Sequence, residues 1–124
     1  MITTDNTKVV TFDDLVFSQH GGFADGKAIQ ARLNFGSIFT ISVVQNTGNG
    51  TGLYGHENEG TYEVAMWADG WDDMIPLSLY DDVLAHQTPV AISLLMKNAM
   101  KNGVAWINLL RKLREDHRKE LDLD

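Results

Sequence analysis

The chain has 124 residues, 44% of them apolar and 22% charged, with 17 acidic against 10 basic side chains for a net charge of −7. That size and balance describe one ordinary water-soluble domain, large enough to bury a core without disulfide or metal staples. The absence of cysteine excludes a disulfide framework, a zinc–thiolate site and a thiol nucleophile, and the acidic balance argues against a general binder of phosphate backbones, which runs on basic patches.

The N-terminal run Met1–Lys8 is polar and lacks the apolar core of a signal peptide. No stretch approaches the roughly 20 apolar residues of a membrane span, so a reducing, cytoplasmic setting is expected. Lys8–Phe12 reads as a short strand, Asp13-Asp14 interrupts it, and Leu15-Val-Phe17 resumes a β-prone run. Three glycines and an Asp-Gly step make residues 21–27 a loop. From Ala28 to Phe35 the pattern alternates: Ile29, Ala31, Leu33 and Phe35 share one face and Gln30, Arg32 and Asn34 the other. A tight turn at Asn34-Phe35-Gly36-Ser37 leads into a partner strand with Phe39, Ile41 and Val43 on one face, giving an antiparallel hairpin.

Residues 46–60 hold five glycines in fifteen positions, which forbids a helix and makes a regular strand unfavourable. A loop this long in a small domain is either functional or disordered. Thr61–Trp67 alternates again, Tyr62, Val64 and Met66 against Glu63, Ala65 and Trp67. Asp69-Gly70 is the strongest hairpin signal in the chain. Trp71–Leu77 would return as a strand, at an edge or ending at Pro76, which has no N–H to donate. Ser78–Ala85 reads equally as a helical turn or as irregular chain. Thr88-Pro89 marks a helix start, with Thr as N-cap and Pro in the first turn. Asn102-Gly103 offers a left-handed cap. A second helix from about Val104 carries the apolar stripe Trp106, Ile107, Leu110, Leu113, His117 and Leu121, with Lys112/Asp116, Arg111/Glu115 and Glu115/Lys119 as favourable i,i+4 pairs.

The predicted fold is therefore α+β: an antiparallel β-meander of four to five strands followed by two C-terminal helices. Charge divides the chain at the same seam. Residues 1–102, the acidic β-rich body with the first helix, carry 5 basic and 12 acidic side chains. Residues 103–124, the amphipathic C-terminal helix, carry 5 of each. That helix is either part of the same domain or an oligomerisation extension.

No motif announces catalysis. His20, His56, His86 and His117 are scattered, with no metal-ligand spacing. His56-Glu57 with Glu59 reads as a solvated loop before a metal site. The glycine loop lacks the phosphate-cradling Gly-Lys-Ser/Thr. Asp69, Asp72, Asp73, Asp81 and Asp82 are the densest carboxylates, but their spacing fits no calcium loop. No cofactor and no metal is expected. Trp67 and Trp71 flank the acidic turn; core or cross-strand packing is their default role, and an aromatic, acidic contact surface for a basic partner is the functional alternative.

One resemblance can be added. Leu33-Asn-Phe-Gly36, Ile41-Ser-Val-Val44, Gly52-Leu-Tyr-Gly55, Tyr62-Glu-Val-Ala65, Asp69-Gly70, Asp81-Asp-Val83 and Thr88-Pro89 together resemble a group of short tailed-bacteriophage accessory proteins of unassigned function, over about residues 28–100. The chain departs from that group at Phe35-Gly36, where Asn-Gly is expected, and in the helix after Gly103. The resemblance implies a small viral protein made in an infected bacterial cytoplasm that works by binding host machinery; it transfers no site residues.

The leading expectation is a non-enzymatic interaction protein that binds a host protein, for instance as an inhibitor of a host nuclease or defence complex, without direct nucleic-acid or membrane contact. Partner contacts are expected at Tyr54, Trp67, Asp69, Trp71, Asp72 and Asp73. Self-association into a homodimer or small homo-oligomer is expected through Trp106, Ile107, Leu110, Leu113 and His117 on the C-terminal helix. The alternatives are a small ligand- or metal-binding enzyme using loop 46–60 with Tyr54, His56 and Glu57, and a structural virion or assembly component.

Overall fold

The structure, a computed structural model, describes residues 2–3, 9–19, 28–36, 38–47, 55, 57–78 and 81–121. The strands are β1 (Ile2–Thr3), β2 (Ser18–Gln19), β3 (Ala28–Phe35), β4 (Phe39–Asn46), β5 (Tyr62–Ala68) and β6 (Leu84–Gln87), followed by the helix α1 (Pro89–Leu121). Strands β3, β4, β5 and β6 form an antiparallel meander. On the free side of β3, β2 pairs antiparallel with Ile29 and Gln30, and β1 pairs parallel with Leu33 and Asn34. The α+β class and the antiparallel sheet ahead of a C-terminal helical region are as the sequence pattern predicts.

Period-2 alternation sets the two faces. The β3–β4 register runs from Ala28↔Asn46 to Phe35↔Phe39, and β4–β5 from Phe39↔Ala68 to Val44↔Glu63. Ala31, Leu33, Phe35, Phe39, Ile41, Val43, Val64, Met66 and Ala68 thus share one face, and all are buried. Ile92, Met96, Ala99, Trp106 and Ile107 of α1 join them in a single core, with Trp106 edge-on to Phe39 at 6.1 Å between ring centroids. The opposite face carries polar cross-strand pairs: Gln30 Nε2 donates to Ser42 Oγ at 2.9 Å, and Asn34 Nδ2 to Thr40 Oγ1 at 3.1 Å.

Three expectations are corrected. The first lies in residues 9–14, where irregular chain and a 3₁₀ turn (Phe12–Asp14) replace the predicted strand. Thr11 and Asp14 cap each other reciprocally: the Thr11 side chain accepts from the Asp13 N–H, and Asp14 Oδ2 accepts the Thr11 N–H at 2.8 Å. That local bonding competes with a ladder. The segment still contributes Val10 and Leu15 to the core, and Phe12 donates its N–H to Ser93 Oγ of α1 at 2.9 Å.

Second, the stretch after Asp69-Gly70 does not return as a strand. The turn itself forms, with Gly70 at φ 82° and the Trp71 N–H bonded back to Ala68 O at 3.2 Å. Beyond it, among the described residues, only the Ile75 N–H reaches β5, at Met66 O, and Pro76 has no N–H with which to continue. The edge partner of β5 comes instead from β6, which overlaps the end of the segment the sequence left ambiguous and runs on to Gln87, with a bulge between its pairs at Tyr62 and Val64. His86 takes φ 54° there, a left-handed conformation uncommon outside glycine.

Third, Pro89–Leu121 is one helical element of 33 residues rather than two separate helices. Its start is as predicted: Thr88 Oγ1 accepts the Ala91 N–H at 3.2 Å. At Gly103 the backbone leaves helical geometry (φ 57°, ψ −138°) for a single residue and then resumes it. This conformation is open essentially to glycine alone. The kink lets the residues before and after it cover the same sheet face. Among the described residues, no helix is long and apolar enough to cross a membrane.

Candidate interaction surface

Residues 71–78 and 81–82 lie beside the second half of α1 and are clamped to it at two points. Trp71 packs against the core, and the Arg111 guanidinium lies over its ring, 4.0 Å from the centroid. Farther along, Arg114 Nε and Nη2 donate to Ser78 O at 3.1 and 2.6 Å, Nη2 also donates to Asp81 O at 2.8 Å, and Nη1 pairs with Asp82 Oδ1. The Arg114 side chain is only 14% exposed. A planar fork with several donors suits this multiple capture in a way a lysine ammonium does not.

Between these clamps lies an open cleft of about 560 Å³, lined by Asp73, Met74, Pro76, Asp82, Arg111, Arg114, Glu115 and Arg118. Three of the chain's four arginines meet there. Their spacing of i, i+3 and i+7 puts them on one face of the helix. Glu115 is held by Lys119 at 3.4 Å rather than by Arg111, and Lys112 pairs with Asp116 at 2.9 Å. Asp69, Asp72 and Asp73 stand exposed at the Trp71 end of the cleft. Asp69 opens the turn, with its N–H bonded to Ile38 O at 2.9 Å. Asp73 reaches the cleft wall itself.

The other predicted contact residues scatter. Trp67 is half-buried on the helix-free face of the sheet, with Arg32 over its ring at 5.2 Å; it lies across the sheet from the core that Trp71 joins. Tyr54 and His56 lie outside the described residues, and Glu57 is exposed in a short 3₁₀ turn, Glu57–Glu59. Of the residues expected to serve self-association, Trp106 and Ile107 are consumed by the protomer's own core and Leu110 packs half-buried against it. His117 is half-buried, and Leu113, at 47% exposure, faces outward with Leu109 and Leu121. The stripe expected to serve self-association therefore finds most of its cover within its own chain.

A second concavity of about 650 Å³ lies between Val9–Asp13 and the first turns of α1, where Val9, Val90 and Leu94 are exposed. Among the described residues no group of three or more His, Asp or Glu side chains is placed to hold a metal ion. Glu63, half-buried on β5, has its carboxyl pushed above the ordinary value by burial and, secondarily, by the Asp81 charge.

Sequence reasoning did not single out Arg114 or Arg118, and it named Asp82 as part of a carboxylate cluster and Arg111 as part of a helix pair without assigning either to a contact surface. The available signal was the recurrence of arginine at 111, 114 and 118 on one helical face, in a chain whose other cations are mostly lysine. No protein-family model, curated protein or solved structure matches this chain.

Proposed function

We propose that this is a non-enzymatic interaction protein whose contact surface is the acidic turn Asp69–Asp73 together with the arginine-lined cleft beside it. The observation that carries the reading is the concentration of three arginines and three exposed carboxylates around a stretch that Arg111 and Arg114 tie to α1 at Trp71 and Ser78. Arginine at the centre of a cleft, with an aromatic beneath it, is the composition of protein–protein contact sites. The resemblance to short tailed-phage proteins supports a host protein in a bacterial cytoplasm as the partner, and inhibition of a host nuclease or defence complex as the outcome. Acting as a homo-oligomer belongs to the same reading, although Trp106 and Ile107 are unavailable for it.

The test is retention of bacterial proteins by immobilised full-length chain. Asp72→Asn/Asp73→Asn and Arg118→Ala should each release a protein that the wild type retains, while Arg32→Ala, on the other side of the sheet, should leave retention unchanged. Retention that ignores the first two variants, or no retained protein at all, would overturn the proposal.

A further inference from the structure

Gly103 is the single point at which α1 departs from helical geometry. A Cβ at that position would meet no atom within 4 Å, so no neighbour packed into the bend imposes it. Glycine takes helical dihedrals as well as positive φ, and the surrounding Lys101-Asn102-Gly103-Val104-Ala105 holds no proline to break a helix. What keeps the bend is the docking on its far side: Trp106 and Ile107 in the core, Arg111 over Trp71, and Arg114 on Ser78, Asp81 and Asp82. With Gly103 in helical geometry, the 33 residues of α1 would run straight for about 50 Å, and residues 104–121 would leave their own sheet. The lifted stripe and the surface it vacates would both need cover.

Each is the complement of the other, and a second copy opened in the same way carries both. We infer that Gly103 is a hinge through which two copies of the chain exchange residues 104–121. The vacated surface around Phe39, Trp71 and Ser78 already binds this helix, and a second copy's helix repeats every one of those contacts by two-fold symmetry. In the closed chain Trp106 and Ile107 are out of a partner's reach; in the exchanged dimer they are buried again, in the partner's core. The balance is one of concentration. Docking within one chain has an effective concentration on the order of 1 mM, and exchange competes as the chain approaches that level. Alanine at 103 is strained in the bend and unstrained in a helix, so relief of two hinges should tighten the dimer by roughly 30-fold or more. The inference supplies a route to the homo-oligomer of the reading above and rests on that reading only for self-association; it makes no use of the acidic turn.

The experiment traps which chain each helix end is docked on. The chain has no cysteine, so Asp73→Cys/Glu115→Cys, two exposed positions on the two elements that line the cleft, can be bridged by a short bis-maleimide. In the closed chain the bridge lies within one chain; in the exchanged dimer it joins two and survives denaturation. The chain with the wild-type hinge, refolded from urea at about 1 mM and bridged directly after dilution, is expected to give product at twice 13.8 kDa on a denaturing gel. Refolded dilute, it is expected to bridge within single chains. Adding Gly103→Ala should bring the double-mass product in at concentrations roughly 30-fold lower or more. Should that variant fold poorly, the wild-type hinge decides alone. Bridges confined to single chains at every concentration, a folded Gly103→Ala that shows no shift, or a dimer in native mass whose bridges stay within each chain would each overturn the inference. If exchange fails while a foreign protein is still retained through Asp72, Asp73 and Arg118, the inference falls and the contact-surface reading survives; exchange with no retained protein does the reverse.

Discussion

Arg114→Met removes the clamp that holds the end of α1 to the Ser78–Asp82 segment while keeping the aliphatic stem. Three hydrogen bonds to the carbonyls of Ser78 and Asp81 are lost, together with the ion pair to Asp82. Hydrogen bonds to a charged group contribute about 1.5–3 kcal/mol. The Asp82 side chain is 40% exposed, so water takes over much of what the ion pair supplied, and that part is discounted. The freed carbonyls belong to exposed Asp81 and half-buried Ser78, so water replaces most of those bonds as well, and the net loss should be about 2 kcal/mol, against a total stability of about 5–15 kcal/mol for a domain. A chain of this size should then melt about 8 °C lower. Urea unfolding of wild type, Arg114→Met, Asp82→Asn and the double variant gives the coupling directly; about 1 kcal/mol is expected between the two side chains. Amide exchange should quicken in residues 104–121 more than in β3 and β4. A midpoint shift worth less than about 0.5 kcal/mol, the range of ordinary surface substitutions, with unchanged exchange in 104–121, would refute the claim that this clamp docks the helix end.

Ile107→Ala, at a fully buried position, should cost about 2–5 kcal/mol in urea unfolding; a near-neutral result would mean that the helix after Gly103 is not part of the core. Gly55→Ala should lower the thermal midpoint sharply, because a Cβ at that position would lie 2.4 Å from Tyr62 Cα; overpacking against backbone costs about 1–3 kcal/mol, and an unchanged melt would contradict the close approach. Glu63 has its folded pKa raised above 4.5, so the folded state holds that proton more tightly than the unfolded one, and its contribution to stability is present below pH 4.5 and lost as pH rises through the folded pKa. Glu63→Gln should therefore raise the urea midpoint relative to wild type at pH 7, and the gain should shrink toward zero as pH falls below 4.5. A gain that grows on acidification would reverse the assignment. Gly103→Ala should destabilise by about 1–3 kcal/mol in the same assay, since φ 57°, ψ −138° is closed to alanine.

The sheet was legible because each strand obeys one rule. In β3, β4 and β5 a period-2 alternation with a buried face fixes both the strand and its register, and a slip of one residue would turn Leu33, Ile41 and Met66 to the outside. The start of α1 was legible for a similar reason: Thr88 and Pro89 act through backbone chemistry that belongs to their own positions. What was not legible depends on competition between local and distant partners. Phe12–Asp14 has β-prone neighbours, yet Thr11 and Asp14 satisfy each other first. Residues 71–77 follow a strong turn signal, but β5 takes most of its edge partners from residues 84–87 instead. The contact surface shows the same limit. The carboxylates of 69–73 were visible as a cluster, whereas Arg114 matters because Ser78 and Asp82, more than thirty residues upstream, arrive beside it. No local pattern specifies that meeting. The amphipathic stripe of Trp106 and Ile107 was legible as a stripe; periodicity alone does not say whether its cover lies in the same chain, and the burial of both residues against Phe39 and its neighbours does.

The account stands or falls on whether this protein makes its macromolecular contacts through the 69–82 segment and the facing side of α1. Hydrogen–deuterium exchange of the full chain, compared between dilute and concentrated protein and again with any retained bacterial partner, measures that directly. Protection is expected to build up in residues 69–82 and 104–121 while the helix-free face around Arg32 and Trp67 stays unchanged. Protection confined to that opposite face, or to the apolar groove between Val9–Asp13 and Val90–Lys97, would contradict it.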